Sequence, residues 1–187
     1  MSEQNTSSEQ KPWMIYGAYG YTGELIAREA VRRGQQPVLA GRSLEKVQGL
    51  AKELGLEAVA FSLDDGEQAA GKLKGMSLVL NCAGPFSATA EPMMKACIAA
   101  RANYLDITGE IAVFELAQSL NDKARSAGIV LCPGVGFDVI PTDCVAASLK
   151  AALPDATHLA LGFDSRSGFS PGTAKTSVEG LAQGGKI

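Results

Sequence analysis

The 187-residue sequence is poor in the groups that build metal and nucleophile sites. It has one histidine, His158, and four cysteines, Cys82, Cys97, Cys132 and Cys144, none in a C-x-x-C pair. Zinc-site spacing is therefore absent. Each cysteine lies in or beside an apolar run, where a reduced, buried thiol is expected. His158 sits in apolar-flanked Thr157-His158-Leu159 and reads as a packed or edge-exposed residue rather than a catalytic base. No apolar run approaches the ~20 residues that cross a bilayer, which excludes a membrane span. Nor is there an excess of positive charge. Lys plus Arg number 17 against 20 Asp plus Glu, a net charge of -3, which argues against nucleic acid as a partner. The complete P-loop pattern G-x-x-x-x-G-K-[ST] is missing. Residues 1–12 are polar and rich in Ser, Glu and Gln, without the apolar core of a signal peptide, and read as a disordered tail. The expected location is cytoplasmic. A homo-oligomer is compatible with this composition.

What is present is glycine, 21 residues of it. The chain is organised around Gly17-Ala18-Tyr19-Gly20-Tyr21-Thr22-Gly23. An apolar segment, 13–16, precedes this stretch, and apolar residues at helical spacing follow it. A strand, a glycine turn and a helix in succession aim several N–H groups and a helix dipole at one point, where a phosphate fits. The spacing is G-x-x-G-x-x-G, not the usual G-x-G-x-x-G dinucleotide fingerprint. Gly17 allows the tight turn, Gly20 the approach of backbone to pyrophosphate, and Gly23 close packing of helix on strand. A glycine-rich turn with no ligand is the plainer alternative, so the context must decide.

Down the chain, short apolar runs alternate with amphipathic segments. Strands are expected at 13–16, 36–41, 57–61, 77–82, 103–107 and 129–132. Helices are expected at 23–33, 44–54, 66–73, 90–102, with Pro92 near the first turn, and 111–126. Six strands and five crossovers predict an α/β fold with a doubly wound parallel sheet, the Rossmann arrangement. After 132 the rhythm changes to a helix at 142–152, a strand at 156–163, a Gly/Ser-rich loop at 164–172 and a partial helix at 176–182. A lone strand there would leave an unpaired edge. Residues 13–148 are thus expected to form the nucleotide-binding domain, and 149–187 the start of an incomplete second domain or a docking tail.

Cofactor choice is read at the end of the second strand. An acid there would bond a ribose 2′-hydroxyl. This chain has Gly41-Arg42-Ser43, in which Arg42 can pair with a 2′-phosphate and Ser43 can donate to it, so NADP(H) is predicted. The alternative for Arg42 is a plain surface charge. Asp64, after the third strand, could approach the adenine amino group or simply form a turn. Ligands of open parallel sheets lie across the carboxyl ends of the strands. There the fourth-strand loop offers Asn81, Ala83, Gly84, Pro85 and Phe86, whose backbone could line the cofactor, with Phe86 near the nicotinamide. The fifth-strand loop offers Asp106, Thr108, Gly109 and Glu110, and the sixth offers Gly134, Gly136, Phe137 and Asp138, with Asp143 further on. Asp106 and Glu110 are the candidate catalytic groups, although helix capping is an equal reading for Glu110 and Asp138.

The glycine pattern also resembles that of extended short-chain dehydrogenases, but no tyrosine has a lysine four residues later, so their Tyr-x-x-x-Lys chemistry is excluded in its usual form. Five motifs in order carry a different resemblance: 17–23; Ala40-Gly41-Arg42-Ser43; Asn81-Cys82-Ala83-Gly84-Pro85-Phe86; Tyr104-Leu105-Asp106-Ile107-Thr108-Gly109-Glu110; and Pro133-Gly134-Val135-Gly136-Phe137-Asp138-Val139-Ile140-Pro141-Thr142-Asp143. Together they resemble the saccharopine dehydrogenase-like oxidoreductases, including the trans-acting enoyl reductases, over roughly 13–148. Gly172-Thr173-Ala174-Lys175-Thr176-Ser177 is similar to the family's stretch leading into its second domain. The resemblance implies an NADP-binding Rossmann domain, with Gly17, Gly20, Arg42, Ser43, Ala83 and Gly84 at the matching cofactor positions. It implies hydride transfer to or from a small carbonyl, imine or enoyl substrate. Family members continue well past 187, so a catalytically incomplete NADP(H)-binding module is the alternative expectation.

Overall fold

The computed structural model describes residues 12–162, together with 164 and 178. Its elements run β1 (Trp13–Tyr16), α1 (Tyr21–Arg32), β2 (Val38–Gly41), α2 (Leu44–Leu54), β3 (Ala58–Ala60), α3 (Gly66–Leu73), β4 (Leu78–Asn81), α4 (Phe86–Ala100), β5 (Asn103–Asp106), α5 (Ile111–Ser119), α6 (Asn121–Ala127), β6 (Leu131–Cys132) and α7 (Ile140–Ala152). All strand pairings are parallel and the order is β3-β2-β1-β4-β5-β6. This is the expected doubly wound α/β sheet. The order reverses between β1 and β4, which makes their carboxyl ends the switch point where such folds bind ligands.

The period-2 geometry of the strands sorts their side chains onto two faces. Met14, Tyr16, Val79 and Tyr104 face one way, into a core shared with Phe86, Met93, Met94 and Val113 of α4 and α5. Ile15 and Leu39 face the other way, against Ala27 of α1 and Val47, Leu50 and Ala51 of α2. Among the described residues the second face is covered only over β1–β3. Over β4–β6 it leaves Leu78 and Leu105 half-buried and Cys132 exposed. A groove of about 820 Å³, lined by Trp13, Gln36, Leu78, Leu80 and Leu105, opens on this side at the amino ends of β1 and β4, away from the switch point.

Several boundaries differ from the sequence reading. The helix after β4 begins at Phe86, not near 90, which places Pro92 inside it. Its start is drawn forward because the Phe86 N–H donates to Glu110 Oε1 at 3.0 Å, a partner distant in sequence. The expected helix 111–126 is two helices that meet at Leu120, whose N–H reaches both Leu116 O and Ala117 O. The strand expected at 156–163 does not form over 156–162, which are irregular, exposed and paired with no strand among the described residues. The loop and helix expected beyond it, and the Gly172–Ser177 stretch, lie outside the described residues, as does the tail 1–11. Helix α7 begins at Ile140 rather than at 142, and none of its residues is buried. Finally, Cys97 is buried and Cys82 half-buried, but Cys132 and Cys144 are exposed, contrary to the burial expected of all four. Cys132 lies on the uncovered half-face and Cys144 on α7. His158 is exposed, with Nδ1 2.9 Å from the Thr157 hydroxyl.

Candidate functional site

The turn after β1 is forced by close contacts. Gly17 has φ +80°, and a Cβ there would lie 2.8 Å from the Ala83 nitrogen and 2.9 Å from the Cys82 carbonyl carbon. A side chain is excluded on both counts. The N–H groups of Gly17 and Ala18 both donate to Ala40 O, at 2.9 and 3.1 Å, which ties the turn to the end of β2. At Gly23 a Cβ would collide with the Gly17 carbonyl oxygen and lie 3.0 Å from Ala18 Cα, so only glycine lets α1 seat this closely. Helix α1 starts after Gly20 with no side-chain cap. Glu24 N–H returns to Gly20 O, while the N–H groups of Tyr21 and Thr22 find no acceptor among the described residues. Uncapped N–H groups at the positive end of a 12-residue helix, in a turn stripped of side chains, suit a pyrophosphate.

The end of β2 borders this cradle. Arg42 is exposed and makes no ion pair among the described residues, in contrast to Arg28, Arg32 and Arg33, which pair with glutamates. Its charge reaches the Tyr16 phenol, whose pKa burial pushes up to about 12 and Arg42 pulls back in part. Ser43 N-caps α2, with Oγ accepting from Lys46 N at 3.5 Å, which leaves its own hydroxyl proton to donate outward. Tyr19 lies against Gly41: a Cβ on Gly41 would be 2.5 Å from Tyr19 Cε1. Asp64 is exposed, accepts from the Ser62 hydroxyl at 2.5 Å, and is close enough for its charge to act on Tyr16. The residues offered by the first three strands thus gather at one edge.

The loops after β4, β5 and β6 are built differently. Asn81 is fully buried and turned inward, donating to Thr89 Oγ1 at 3.2 Å and Tyr104 Oη at 3.4 Å. Its Oδ1 accepts from Ala83 N at 3.1 Å, so the Ala83 N–H is already used. Thr89 in turn donates to Ala83 O at 2.6 Å. The peptide Gly84–Pro85 is cis, and Gly84 is exposed. Phe86 packs into the core rather than toward the switch point. Asp106 is 0% exposed and both its oxygens are engaged. Oδ1 accepts from Thr108 N at 3.0 Å and Gly134 N at 2.8 Å, and Oδ2 from Tyr104 Oη at 2.6 Å. Burial raises its pKa above the usual carboxylate value, Asp138 adding to the rise and the three donors opposing it. Burial, reinforced by the Asp106 charge, also raises Tyr104.

Glu110 is half-buried and bridges two loops, its carboxylate on the first N–H of α4 and its own N–H on Thr108 Oγ1 at 3.0 Å. The exposed Asp138 stands over Gly109, where a Cβ would be 2.5 Å from Oδ2. Of the two candidate catalytic carboxylates, then, only Glu110 has any exposure. The sequence reading overlooked Tyr104, Thr89 and Lys46. Tyr104 had a signal, since it lies two residues before Asp106 on the same buried strand face.

Comparison with known proteins agrees with this geometry. The family model "Saccharopine dehydrogenase NADP binding domain" matches residues 13–132. The human saccharopine dehydrogenase-like oxidoreductase is 33% identical over 165 residues, 73% of this chain and 37% of its own length. A Mycobacterium tuberculosis protein named as a candidate trans-acting enoyl reductase is 29% identical, over 90% of this chain and 44% of its own length. An Arabidopsis thaliana relative named as mitochondrial is 27% identical over 95% of this chain and 46% of its own. This chain therefore spans less than half the length of these relatives. Among solved structures, apo saccharopine dehydrogenase (L-Glu forming) from Saccharomyces cerevisiae superposes with TM-score 0.65 at 18% identity, over 76% of this chain and 31% of that one. Triphenylmethane reductase of Citrobacter, solved with NADP(H), gives 0.52 at 18% identity, over 64% and 48%. No helix among the described residues is long and apolar enough to cross a membrane. With a matched family model, a 3-2-1-4-5-6 sheet and a side-chain-free turn at its switch point, the chain belongs to the saccharopine dehydrogenase-like oxidoreductases and carries their NADP-binding domain.

Proposed function

We propose that this chain is the cofactor-binding part of an oxidoreductase that passes a hydride between NADP(H) and a small carbonyl, imine or enoyl compound. The observation that carries the reading is the uncapped α1 N-terminus beside Arg42 and Ser43, at the switch point of the sheet. In this reading Gly17–Thr22 hold the pyrophosphate through backbone N–H groups, and Arg42 and Ser43 hold the 2′-phosphate. Asp64 lies on the adenine side. The loop 83–85 borders the nicotinamide side, with Asn81 and Phe86 shaping it from within. When bound, the nicotinamide supplies or accepts the hydride. Asp106 acts as a positioning residue, joining the β5 and β6 loops by its three accepted hydrogen bonds. Glu110 is the carboxylate proposed to handle a proton, being the more exposed of the two.

A second reading is favoured by one observation: Asp106 is buried with both oxygens engaged, and Glu110 is occupied by the Phe86 N–H. The chain is then an NADP(H)-binding module without turnover. Titrating NADPH fluorescence with the purified chain tests the binding common to both readings, and no saturation would refute both. An NADPH-consumption screen over aldehydes, imines and enones separates them, because turnover of any one removes the module reading. A homo-oligomer is proposed and is checked by light scattering. A cytoplasmic location is also part of the proposal. The mitochondrial name of the Arabidopsis relative sets the alternative, and fractionating cells that express the tagged chain decides between them.

A further inference from the structure

Lys46 has no role in the reading above, yet its side chain is placed at the cofactor edge by a specific contact. Its Nζ stands 5.7 Å from the centroid of the Tyr19 ring. That ring rests on Gly41, where a Cβ would be 2.5 Å from Cε1 and 3.2 Å from Cδ1. The glycine at 41 is thus what lets the aromatic ring lie between the end of β2 and the first turn of α2. Lys46 forms no ion pair among the described residues, although Glu45 shares its helical turn. Its backbone N–H donates to Ser43 Oγ, so Lys46 lies in the first turn of α2, the turn that Ser43 caps directly after Arg42. Tyr19 is half-buried and Lys46 exposed, so the ammonium is held weakly over the ring and remains free to move to a stronger partner. A phosphate dianion is such a partner, and a lysine meets it as a compact point charge beside the planar fork of an arginine.

We propose that Lys46 is the second cation of the 2′-phosphate subsite, and that the Tyr19 ring holds it there before cofactor arrives. This rests on the assignment of Arg42 and Ser43 to the 2′-phosphate. Charge is supplied from two sides of the phosphate, and Tyr19 limits the freedom that Lys46 would otherwise lose on binding. Discrimination against a cofactor lacking the phosphate is then shared between Arg42 and Lys46.

The test measures dissociation constants of NADPH, NADH, 2′,5′-ADP and 5′-AMP for the full chain and for Lys46→Gln, Lys46→Arg and Arg42→Ala. Lys46 is exposed, so each variant at that position should fold, and a circular dichroism melt checks it. The expected result is about tenfold weaker binding of NADPH and 2′,5′-ADP to Lys46→Gln, with NADH and 5′-AMP unchanged and most of the loss restored in Lys46→Arg. Equal weakening of all four ligands, or no weakening, would overturn the proposal. If Arg42→Ala loses NADPH selectivity while Lys46→Gln keeps it, Lys46 alone is wrongly assigned. If neither variant changes selectivity, the location of the 2′-phosphate is wrong as well.

Discussion

Two groups of loops share one edge of the sheet and satisfy their polar groups in opposite ways. After β1 and β2, polar groups are left over: α1 has no side-chain cap, Tyr21 and Thr22 have N–H groups without an acceptor among the described residues, and Arg42 stands exposed. After β4, β5 and β6 the polar groups are used up internally. Asn81, Thr89, Tyr104 and Asp106 bond one another and the backbones of 83, 108 and 134. The first group leaves donors and charge unspent, and the proposed function gives them an external anion. The second holds its own shape, and a buried network of this kind is stable only while every member is satisfied. Carboxylates at the ends of parallel strands therefore need not be reactive groups, and in Asp106 the carboxylate is a clamp.

Substitutions can break this contrast. The largest effect is expected from Gly17→Ala, which places a Cβ against the backbone of Cys82 and Ala83 at a φ that alanine resists. Strain and overpacking together should cost roughly 3–5 kcal/mol. A chemical-denaturation midpoint within error of wild type would mean that the two loop groups are not pressed together as described. Next comes Asp106→Ala. It strands the N–H groups of Thr108 and Gly134 and the Tyr104 hydroxyl, and should cost about 3 kcal/mol. Asp106→Asn should cost less, since the amide can accept from the two N–H groups and donate to Tyr104. Equal losses for the two variants in urea melts would show that charge, not hydrogen bonding, matters at this position.

Arg42→Asp sharpens the other side of the comparison. Losing a charge-assisted pair is worth about 1.5–3 kcal/mol, so NADPH binding should weaken by roughly 10- to 100-fold while NADH binding strengthens. Unchanged preference in fluorescence titrations would refute the role given to Arg42. A smaller effect concerns pH. Tyr16 is buried with a pKa of about 12, above its usual 10.0. Its protonated form is favoured by folding, so that contribution is complete below pH 10 and disappears as pH rises toward 12. Tyr16→Phe should lose less stability than wild type between pH 9 and 12, and parallel curves would count against the burial of this phenol. The smallest perturbation is thiol labelling of the native chain at pH 8. Cys132 and Cys144 are exposed, whereas burial pushes Cys82 and Cys97 up to about 12. Two thiols should react quickly and two slowly, and four fast thiols would contradict the packing of β4 and α4.

The glycine turn and the strand–helix alternation were legible because both are local. A φ of +80° at Gly17 follows from a tight turn between adjacent elements, and apolar runs of four or five residues punctuated by glycine mark buried parallel strands whatever lies beyond them. The errors fall where a distant partner decides. Helix α4 starts early because Glu110, 24 residues away, receives its first N–H. No strand forms at 156–162, where the short apolar run 159–161 pairs with no strand among the described residues. Cys132 is exposed because no helix among the described residues covers the half-face of β4–β6, and an apolar neighbourhood in sequence says nothing of that.

By itself the sequence determined the fold class, the order of most elements, the glycine turn and the exposed arginine at the end of β2. Each depends on residues within a few positions of one another, where backbone sterics, periodicity and charge act directly. Only the tertiary structure decided what the later carboxylates do. Asp106 and Glu110 look alike as acids in neighbouring positions, but one is buried under three donors and the other bridges two loops at the edge. A carboxylate's role depends on its water and its partners. Tyr104 and Thr108 are local to Asp106, but its third donor, Gly134, is 28 residues away, and the Phe86 N–H held by Glu110 is 24 away.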